Sequence, residues 1–472
     1  MPVPPVVRSA LAMLIGASCI SSVAAAPGAE FATTDEGIVG TYRRTVPNVD
    51  FDTSKVRDER NKPRVMQRQS ELLKERYDLS NRPSELLMSG GRRAVQEGVR
   101  VLLPKGATWD KLGQLSPAEI KKQDLFPAGF RPLPHVKHEA GGMVFPQFEI
   151  DEIDKQERRS LQRFDVDFDL PDHFLPEFPA PIFLQMRPEL GDVSKGQLVT
   201  TKNFFKLFNG IITPVQMEGL RLLLTPFPQE EFNQTDDRKV AEPQFGVACL
   251  DCHANFHSNG AFHLNPDTRP QDRRFRIDSV SLRGLFNQQI HGSKRSLRSV
   301  EDFTEFEQRT AYFNGDHVAA DKKGAHQPNR TNQVSLMAQM QNMIDFPPAP
   351  RLDFSGRLDR SKASKQELAG EKVFYGKGRC AECHAPPAFL DHQMHDLHLE
   401  RFYTAELING QDNGAEGPIK TFTLRGIKDS PPYLHDGRLL TLDDTVEFFN
   451  LVLQLKLDDE EKRALVAYMR AL

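Results

Sequence analysis

Apolar and polar positions recur with a helical period from about residue 203 onwards. An apolar cluster at residues 204–208 is followed by Thr213-Pro214, a typical helix start, because proline at the first helical position sacrifices no backbone hydrogen bond. Four apolar residues then share one face of the predicted helix: Met217, Leu220, Leu223 and Leu224. We expect this amphipathic helix to pack against the segment that follows it, around residues 249–253.

The part of the chain before residue 195 has a more polar pattern. The highly charged stretch from Arg57 to Arg76 predicts a solvated helix, with Gln67, Glu71 and Glu75 on one face. Prolines then cluster at 127–134 and again at 171–181, which predicts irregular, loop-rich chain. We therefore expect residues 27–195 to form a loop-rich N-terminal extension.

A second break in the pattern lies at Phe346-Pro347-Pro348-Ala349-Pro350. Successive prolines favour stiff, extended backbone. A new helix is expected to begin within residues 361–370. The pattern therefore predicts a mostly α protein with two helical domains after the extension, at residues 196–345 and 346–472.

Residues 1–26 have the pattern of a secretory signal peptide. Arg8 supplies the positive charge, Ser9–Val23 forms a short apolar run, and Ala24-Ala25-Ala26 supplies small residues for cleavage. The alternative of a membrane anchor is disfavoured because the run is too short to span a bilayer. A second alternative is that the chain is lipidated at Cys19. We expect an exported protein located in the periplasm, with no transmembrane segment in the remainder.

Composition narrows the class further. The chain has 472 residues, of which 39% are hydrophobic and 27% charged, an ordinary composition for a globular protein of two or three domains. The net charge of -4 gives no indication of a nucleic-acid partner. Of the five cysteines, four form two closely spaced pairs, so removal of the leader with Cys19 would leave none for an additional disulfide.

Those pairs lie in two matching pentapeptides, Cys249-Leu250-Asp251-Cys252-His253 and Cys380-Ala381-Glu382-Cys383-His384. The C-x-x-C-H pattern is the attachment signature of a c-type haem, in which two thiols add to the porphyrin vinyl groups and the histidine binds the iron. The alternatives are a chance match, a redox-active cysteine pair or half of a zinc site. Two copies with no spare cysteine favour haem.

The chain also repeats itself after each haem motif. Ser281-Leu282-Arg283-Gly284-Leu285 and then Ile290-His291 in the first half match Thr423-Leu424-Arg425-Gly426-Ile427 and then Leu434-His435 in the second. Ser296-Leu297 and Thr441-Leu442 follow in the same order. The repeat predicts two cytochrome c-like haem domains related by internal duplication.

Two kinds of residue in the repeat carry candidate roles. Arg283 and Arg425 are candidates for pairing with haem propionates, since guanidinium binds carboxylates in a bidentate manner; structural salt bridges are the alternative. His291 and His435 are expected to contact propionates or the path between the haems, or else to be hydrogen-bonded structural histidines. His135 and His138 form a further candidate metal pair, with ordinary surface histidines as the alternative.

The segment from Thr423 to Arg438 resembles the T-L-R-N-V…A-P-Y-x-H-[DN]-G signature in the C-terminal haem domain of the bacterial dihaem cytochrome c peroxidases. That superfamily includes the dihaem enzyme that matures methylamine dehydrogenase and the dihaem rubber oxygenases. The resemblance covers roughly residues 205–472. It implies two covalently bound c-type haems, with peroxide or oxygen activated at the haem of His253 and electrons delivered by the haem of His384.

The same resemblance implies further partners. These are hydrogen peroxide or dioxygen, a small electron-donor protein such as a cytochrome c or a cupredoxin, and a homodimer as one arrangement. It also implies a calcium ion between the domains, with Asp278 near its side-chain ligand position and residues 421–423 near its backbone ligands.

The chain departs from the family pattern in three places. Ile290 and His291 stand where the family has a tryptophan between the haems. Val446-Glu447-Phe448-Phe449 offers phenylalanine where a Met or Tyr ligates the second haem, which leaves that iron five-coordinate or bound by Met394 or His398. The displaceable histidine of the first haem has His263 as its nearest counterpart, whereas His257 is expected on the proximal side.

Peroxide cleavage needs a distal acid–base group, and the family places a glutamate after the first repeat segment. The acidic run there contains Glu301, Asp302, Glu305 and Glu307. By spacing, Glu307 is the first choice and Glu305 the second, and a solvated helix face is the alternative for all four.

Three classes of function remain open from the sequence alone. The first is a periplasmic peroxidase that passes electrons from the C-terminal to the N-terminal haem. The second is a dihaem oxygenase or protein-modifying oxidase acting on an organic substrate. The third is an electron-transfer cytochrome without catalysis. A zinc-binding structural protein would require that no haem is attached.

Overall fold

The computed structural model divides into two compact units, Met1–Arg44 and Thr45–Leu472. It describes residues 33–34, 37–38, 51–91, 93–133, 142–144, 146–158, 161, 170–226, 228–229, 244–245, 248–260, 262–264, 277–313, 330–404, 407–408, 411–412 and 416–472. The predicted signal peptide therefore lies outside the described residues, as do His135 and His138. Within the described part, no helix combines the length and the apolar character needed to cross a membrane.

Helices dominate the described chain, which agrees with the mostly α class predicted from the sequence. The α-helices are α1 Phe51–Arg76, α2 Trp109–Gln114, α3 Pro117–Lys122, α4 Gln147–Glu157, α5 Phe204–Phe208, α6 Pro214–Leu224, α7 Cys249–Cys252, α8 Val300–Phe313, α9 Ser335–Gln341, α10 Lys365–Tyr375, α11 Leu442–Val452 and α12 Asp459–Met469. A π-helical turn spans Arg330–Val334. Short 3-10 turns lie at Ala128–Phe130, Asp172–Phe174, Pro188–Leu190, Ala254–Phe256, Leu285–Asn287, Cys380–Glu382, Leu399–Arg401 and Ile427–Asp429.

The strands are short, two to five residues each. They are β1 Thr33–Thr34, β2 Gly37–Ile38, β3 Pro83–Leu87, β4 Ala94–Gln96, β5 Gly142–Val144, β6 Phe183–Leu184, β7 Pro228–Gln229, β8 Gln244–Phe245, β9 Phe262–Leu264, β10 Ile277–Asp278, β11 Ile344–Asp345, β12 Met394–His395, β13 Leu407–Ile408, β14 Gln411–Asp412 and β15 Ile419–Lys420. One sheet has the order β10-β9-β5, and the others are antiparallel pairs such as β12-β15 and β11-β6. In the first unit, only the β1–β2 pair is described.

Two predicted helix starts are confirmed. Thr213 caps α6 and Ser364 caps α10, and each forms a reciprocal capping box with the residue three positions later, Gln216 or Glu367. The predicted solvated helix from Arg57 to Arg76 falls within α1, where Gln67 Nε2 donates to Glu71 Oε1 at 2.9 Å.

Two hydrophobic cores organise the second unit. One core is built within residues 182–344 and contains Leu220 and Leu223 of α6 with Met337 and Met340 of α9. The other combines side chains of residues 73–175 with side chains of residues 358–472. Phe130, for example, packs edge-on against Phe448 with ring centroids 5.3 Å apart. The segment before residue 195 therefore shares its core with the C-terminal part of the chain.

Glycines permit the closest helix crossings in the two cores. A Cβ at Gly219 of α6 would collide with the backbone carbonyl of Leu336 in α9, and one at Gly370 of α10 would collide with that of Ala464 in α12. Only a residue without a side chain allows such an approach. Because Gly219 and Gly370 each lie six residues after a helix cap, the same crossing is built twice.

The two repeat segments share backbone geometry at a constant spacing of 142 positions. Gly284 and Gly426 are both left-handed, with φ of 68° and 69°. The N–H of His291 donates to the carbonyl of Leu297 at 2.7 Å, and that of Tyr433 donates to the carbonyl of Leu439, also at 2.7 Å. The following helices, α8 and α11, begin at Val300 and Leu442, again 142 positions apart.

Candidate functional site

The first cysteine–histidine motif forms α7 and the turn that ends it. The Asp251 carboxylate accepts a hydrogen bond from the backbone N–H of Ala248 at 2.7 Å and closes this short helix. His253 follows as its C-cap, and its Nδ1 lies 2.8 Å from the carbonyl of Val280. Burial lowers the pKa of His253 to about 4, so the ring is neutral. With Nδ1–H donating to the carbonyl, Nε2 keeps the lone pair that a metal requires.

The second motif reaches the same arrangement through a 3-10 turn. The backbone N–H of His384 donates to the carbonyl of Cys380 at 2.8 Å, and His384 Nδ1 lies 3.0 Å from the carbonyl of Phe389. Burial again lowers the pKa of the imidazole, with the carbonyl of Phe422 acting in the opposite direction. Both histidines thus present Nε2 as a metal ligand, oriented by a backbone carbonyl on the other ring nitrogen.

Each motif opens into a cleft lined mainly by apolar side chains. The first pocket contains Cys249, Cys252 and His253 together with Ile277, Asp278, Val280, Leu282, Leu285, Gln288, His291, Phe303, Thr304, Glu307, Gln341, Lys420, Phe422 and His435. The second contains Cys383 and His384 together with Leu397, His398, Glu416, Ile419, Lys420, Phe422, Leu424, Ile427, Tyr433, Leu434, His435, Arg438, Phe448 and Phe449. A thiol, an oriented imidazole and apolar walls in one cleft are what a covalently attached haem requires.

The positions of the cysteines do not favour the zinc alternative, which requires about four ligands to converge on one metal ion. Among the described residues, the converging groups of three potential ligands are Cys383 with Asp391 and His395, and Asp396 with His398 and Glu400. Neither group brings the two cysteine pairs together.

The acidic run after the first repeat segment forms helix α8. Glu307 lines the first pocket beside Phe303 and Thr304, whereas Glu305 is not among the described residues that line either pocket. Gln341 of α9 also lines this pocket, and its Nε2 donates to Thr304 Oγ1 at 2.8 Å. Glu307, the first choice from the sequence, therefore lines the first pocket, and its role as the distal acid stays a prediction.

For His263, the predicted displaceable histidine, the structure describes the backbone alone. It lies in β9, opposite Met143 of β5 and Ile277 of β10. His257, expected on the proximal side, is fully buried instead of lining a pocket: its Nδ1 contacts Ser281 Oγ at 2.9 Å and its Nε2 contacts the carbonyl of Asp429 at 3.0 Å. It therefore joins the segment beside His253 to the C-terminal part of the chain.

The two repeat arginines have structural partners. Arg283 is 3% exposed, forms a salt bridge of 3.2 Å with Asp429 and donates to the carbonyl of Pro181. Arg425 donates to the carbonyls of Leu472 and Pro347. Neither is among the described residues lining either pocket. The contacts therefore favour the structural alternative over the predicted propionate pairing.

The predicted pairing of His291 with His435 is wrong by two residues. His291 and Tyr433 make the equivalent backbone bridge, and His435 is the counterpart of Ser293 at the same spacing of 142 positions. The match of Ser296 with Thr441 is also corrected, since Ser299 and Thr441 cap the two equivalent helices. The 142-residue spacing of the two S/T-L-R-G segments already predicts this alignment of the repeats. His291 and His435, which the prediction paired instead, do not have this spacing.

The sequence predicts that Phe448 and Phe449 lie where a Met or Tyr would ligate the second haem. Phe448 and Phe449 of α11 both line the second pocket, and Phe449 is the counterpart of Glu307 at the 142-residue spacing. Of the two alternative ligands, His398 lines this pocket, whereas Met394 is not among its described lining residues. The His398 ring nitrogen Nδ1 lies 3.3 Å from Glu400, so one side of that ring is already engaged.

Asp278, predicted as a calcium ligand, lines the first pocket near residues 420 and 422 of the other repeat segment. It belongs to neither of the described groups of three converging metal ligands. A calcium site there stays a prediction.

Sequence reasoning did not identify Lys420. This side chain is 4% exposed and lines both pockets, together with Phe422 and His435. Burial lowers the pKa of Lys420 to about 8, so it is an ammonium ion at neutral pH. Its position could have been noticed from the 142-residue spacing, because Lys420 is the counterpart of Asp278.

No family model matches the chain, but part of its sequence is similar to that of known proteins. The chain is 29% identical over 151 residues to the protein named cytochrome-c peroxidase IdrP2 of Denitromonas iodatirespirans, covering 24% of this chain and 41% of that protein. It is 28% identical over 134 residues to the methylamine utilization protein MauG of Methylorubrum extorquens, covering 24% and 36%.

A solved structure described as a MauG-like protein associated with microbial copper homeostasis aligns with 65% of this chain and 95% of its own, at 14% identity and a TM-score of 0.35. The matched regions of the two curated relatives span less than half of their lengths.

The two oriented histidines, the four cysteines and the likeness to these curated relatives support the class of peroxidase-like dihaem oxidoreductases of the c type. Over part of its length, the chain is therefore similar to proteins of the bacterial dihaem cytochrome c peroxidase group and to MauG.

Proposed function

We propose that this chain is a periplasmic enzyme that binds two c-type haems covalently and reduces hydrogen peroxide. His384 would hold the haem that takes up electrons, and His253 would hold the haem at which peroxide is reduced. The observation that carries the proposal is the matched geometry of the two histidines, each neutral, half-buried and oriented by a backbone carbonyl at 2.8 or 3.0 Å. Two cytochrome c-like domains related by duplication would account for this match and for the constant 142-residue spacing.

The assignment of different roles to the two pockets rests on Glu307 and Phe449, which occupy corresponding positions in the two repeats. Glu307 lines the first pocket, and Phe449 occupies the corresponding place in the second. A carboxyl group can accept and return a proton, whereas a phenyl ring cannot. Acid–base chemistry is therefore expected at the first pocket, and electron storage or delivery at the second.

When bound, the haem iron supplies the redox chemistry. The protein side chains supply positioning and proton transfer. Val280 and Phe389 hold His253 and His384 in the tautomer that leaves Nε2 free to bind metal. Glu307 would carry a proton between the two oxygens of peroxide, so that two electrons and two protons convert one peroxide into two waters. The bond from Gln341 to Thr304 fixes α8, which carries Glu307, against α9.

The test uses full-length protein produced in a host that attaches c-type haem. Mass spectrometry should show two haems, and stopped-flow mixing with peroxide should oxidise two equivalents of reduced cytochrome c or cupredoxin per peroxide. A haem-loaded protein whose spectrum does not respond to peroxide would contradict the proposal.

A second candidate is a dihaem oxygenase or protein-modifying oxidase. It is favoured by Phe448 and Phe449 in the second pocket, and by Ile290 and His291 where the family has tryptophan. A stable dioxygen adduct of the reduced protein, formed without peroxide turnover, would support this candidate over the first.

A further inference from the structure

Lys420 is an unusual cation for a protein interior. Its ammonium group donates to the carbonyl of Gln288, and it lies 5.6 Å from the centre of the Phe422 ring. Within the described part of the chain, no carboxylate lies within salt-bridge distance of it. An ammonium ion has three N–H donors, and leaving such a charge buried without an anion is costly. The described surroundings of Lys420 therefore contain no anion that balances the charge of its ammonium group.

His291 is a second polar residue in the lining of the first pocket that lacks a hydrogen-bond partner at one ring nitrogen among the described residues. It is 3% exposed and lines the first pocket, and its Nε2 has no hydrogen-bond partner among the described residues. Lys420 is near enough to His291 to lower its pKa, which reaches about 4 with burial as the main cause. A neutral ring can still donate a hydrogen bond from one nitrogen. An ammonium group and an imidazole N–H that line the same pocket can together bind a carboxylate.

We propose that Lys420 and His291 bind one propionate carboxylate of the haem in the first pocket. The C-terminal part of the chain would thereby supply a cation to the cofactor held by the N-terminal motif. The inference rests on the proposed function only in requiring a haem on His253. It assigns the propionate contact to Lys420 and His291 instead of Arg283 and Arg425, whose donors are engaged elsewhere.

The proposal has an electrostatic consequence. A positive charge near the haem stabilises the reduced form, which carries one more electron, and low-dielectric surroundings strengthen this effect. Removal of the charge should therefore make the first haem harder to reduce. Since Lys420 also lines the second pocket, the same ammonium lies between the two cofactor clefts.

The experiment compares haem-loaded wild-type protein with the Lys420→Met, Lys420→Arg and Lys294→Met variants. Spectroelectrochemical titration gives the potential of each haem, and resonance Raman spectroscopy reports the propionate-bending bands. Lys294 is the matched control, since the described partners of its Nζ are the carbonyls of Glu416 and Pro418. K420M should shift the reduction equilibrium of one haem about tenfold towards the oxidised form, which corresponds to 59 mV for one electron.

In K420M the propionate bands should also shift, K420R should retain most of the wild-type potential, and K294M should match wild type. If K420M loads poorly with haem, His291→Asn provides the second variant, with a shift of the same propionate band expected. Unchanged potentials and bands in loaded K420M and H291N would overturn the proposal, even with peroxide turnover intact. A band shift produced by added acetate in wild-type protein but not in K420M would assign the site to a diffusible anion and also overturn it.

Discussion

Asp278 and Lys420 make reciprocal contacts across the two repeat segments. The backbone N–H of Asp278 donates to the carbonyl of His435 at 3.0 Å, and that of Lys420 donates to the carbonyl of Ser293 at 2.8 Å. Both the two donors and the two acceptors are 142 positions apart in the sequence. The two backbone hydrogen bonds therefore have the same pattern in both repeat segments. The side chains of their donor residues differ, because Asp278 is acidic and Lys420 is basic. Lys420 lines both pockets, whereas Asp278 is among the described lining residues of the first pocket only, so the two pockets differ in this carboxylate.

The first prediction concerns the acid of the first pocket. Replacement of Glu307 by Gln removes a group that can carry a proton but preserves its size. Positioned acid–base groups contribute about 100-fold or more to rate, so peroxide reduction by E307Q should fall by at least about that factor. Stopped-flow kinetics with equal haem loading would measure it. A loss in E305Q with E307Q unaffected would instead favour the second choice from the sequence.

The second prediction concerns the buried Arg283–Asp429 pair, whose side chains are 4% and 0% exposed. Replacement of Arg283 by Met leaves the Asp429 carboxylate buried without its cation, which costs about 3–5 kcal/mol in comparable cases. The exposed pair Arg221–Glu218 provides the control, and R221A should cost less than about 1 kcal/mol. Denaturant unfolding followed by circular dichroism would measure both, and equal small losses would show that the buried pair is not a stability determinant.

The third prediction concerns pH and Glu177. This carboxyl is 1% exposed and lies near Asp429, and burial is the main cause that raises its pKa to about 7, with Asp429 adding to the effect. The folded state thus holds a proton that the unfolded chain releases near pH 4.5. The contribution of Glu177 to stability is therefore most favourable below pH 4.5 and is lost as pH rises to about 7.

Glu177→Gln should remove that pH dependence. Relative to wild type, E177Q should gain up to about 3 kcal/mol between pH 4.5 and pH 8, at about 1.4 kcal/mol per pH unit. Unfolding free energies of both proteins at several pH values would give the difference. A gap that stays constant with pH would show that Glu177 ionises normally in the folded protein.

The fourth prediction concerns the attachment of the N-terminal segment. The Asp444 carboxylate accepts backbone N–H groups of Arg100 at 2.7 Å and Val101 at 3.0 Å, as well as those of Leu440 and Thr441 at the start of α11. In D444N, the amide N–H₂ would face two of these donors, which should cost about 2–4 kcal/mol and increase proteolysis near residue 100. Asp459, exposed and paired with Lys462, is the control: D459N should change stability by less than about 1 kcal/mol.

The local part of this architecture could be predicted from the sequence, and the long-range part could not. The haem motifs and the caps at Thr213 and Ser364 depend on residues within a few positions of one another, so their spacing identifies them. Lys420 escaped notice because its burial arises from chain more than one hundred residues away, including Gln288. The pairing of Glu177 with Asp429 is likewise invisible to local patterns, since nothing near Glu177 specifies its partner.

The last prediction tests the register that makes Phe449 the counterpart of Glu307. If Phe449 faces the iron of the second haem, Phe449→Met places a thioether within reach of that iron and should convert it to a six-coordinate, low-spin form with a methionine–iron band in the far-red spectrum. Phe448 is the matched control, because it also lines the pocket but its ring packs on Phe130. F448M should therefore leave the coordination unchanged. A methionine signature in F448M alone would show that the other phenylalanine faces the metal, and its absence in both would contradict the ligand position assigned to this helix.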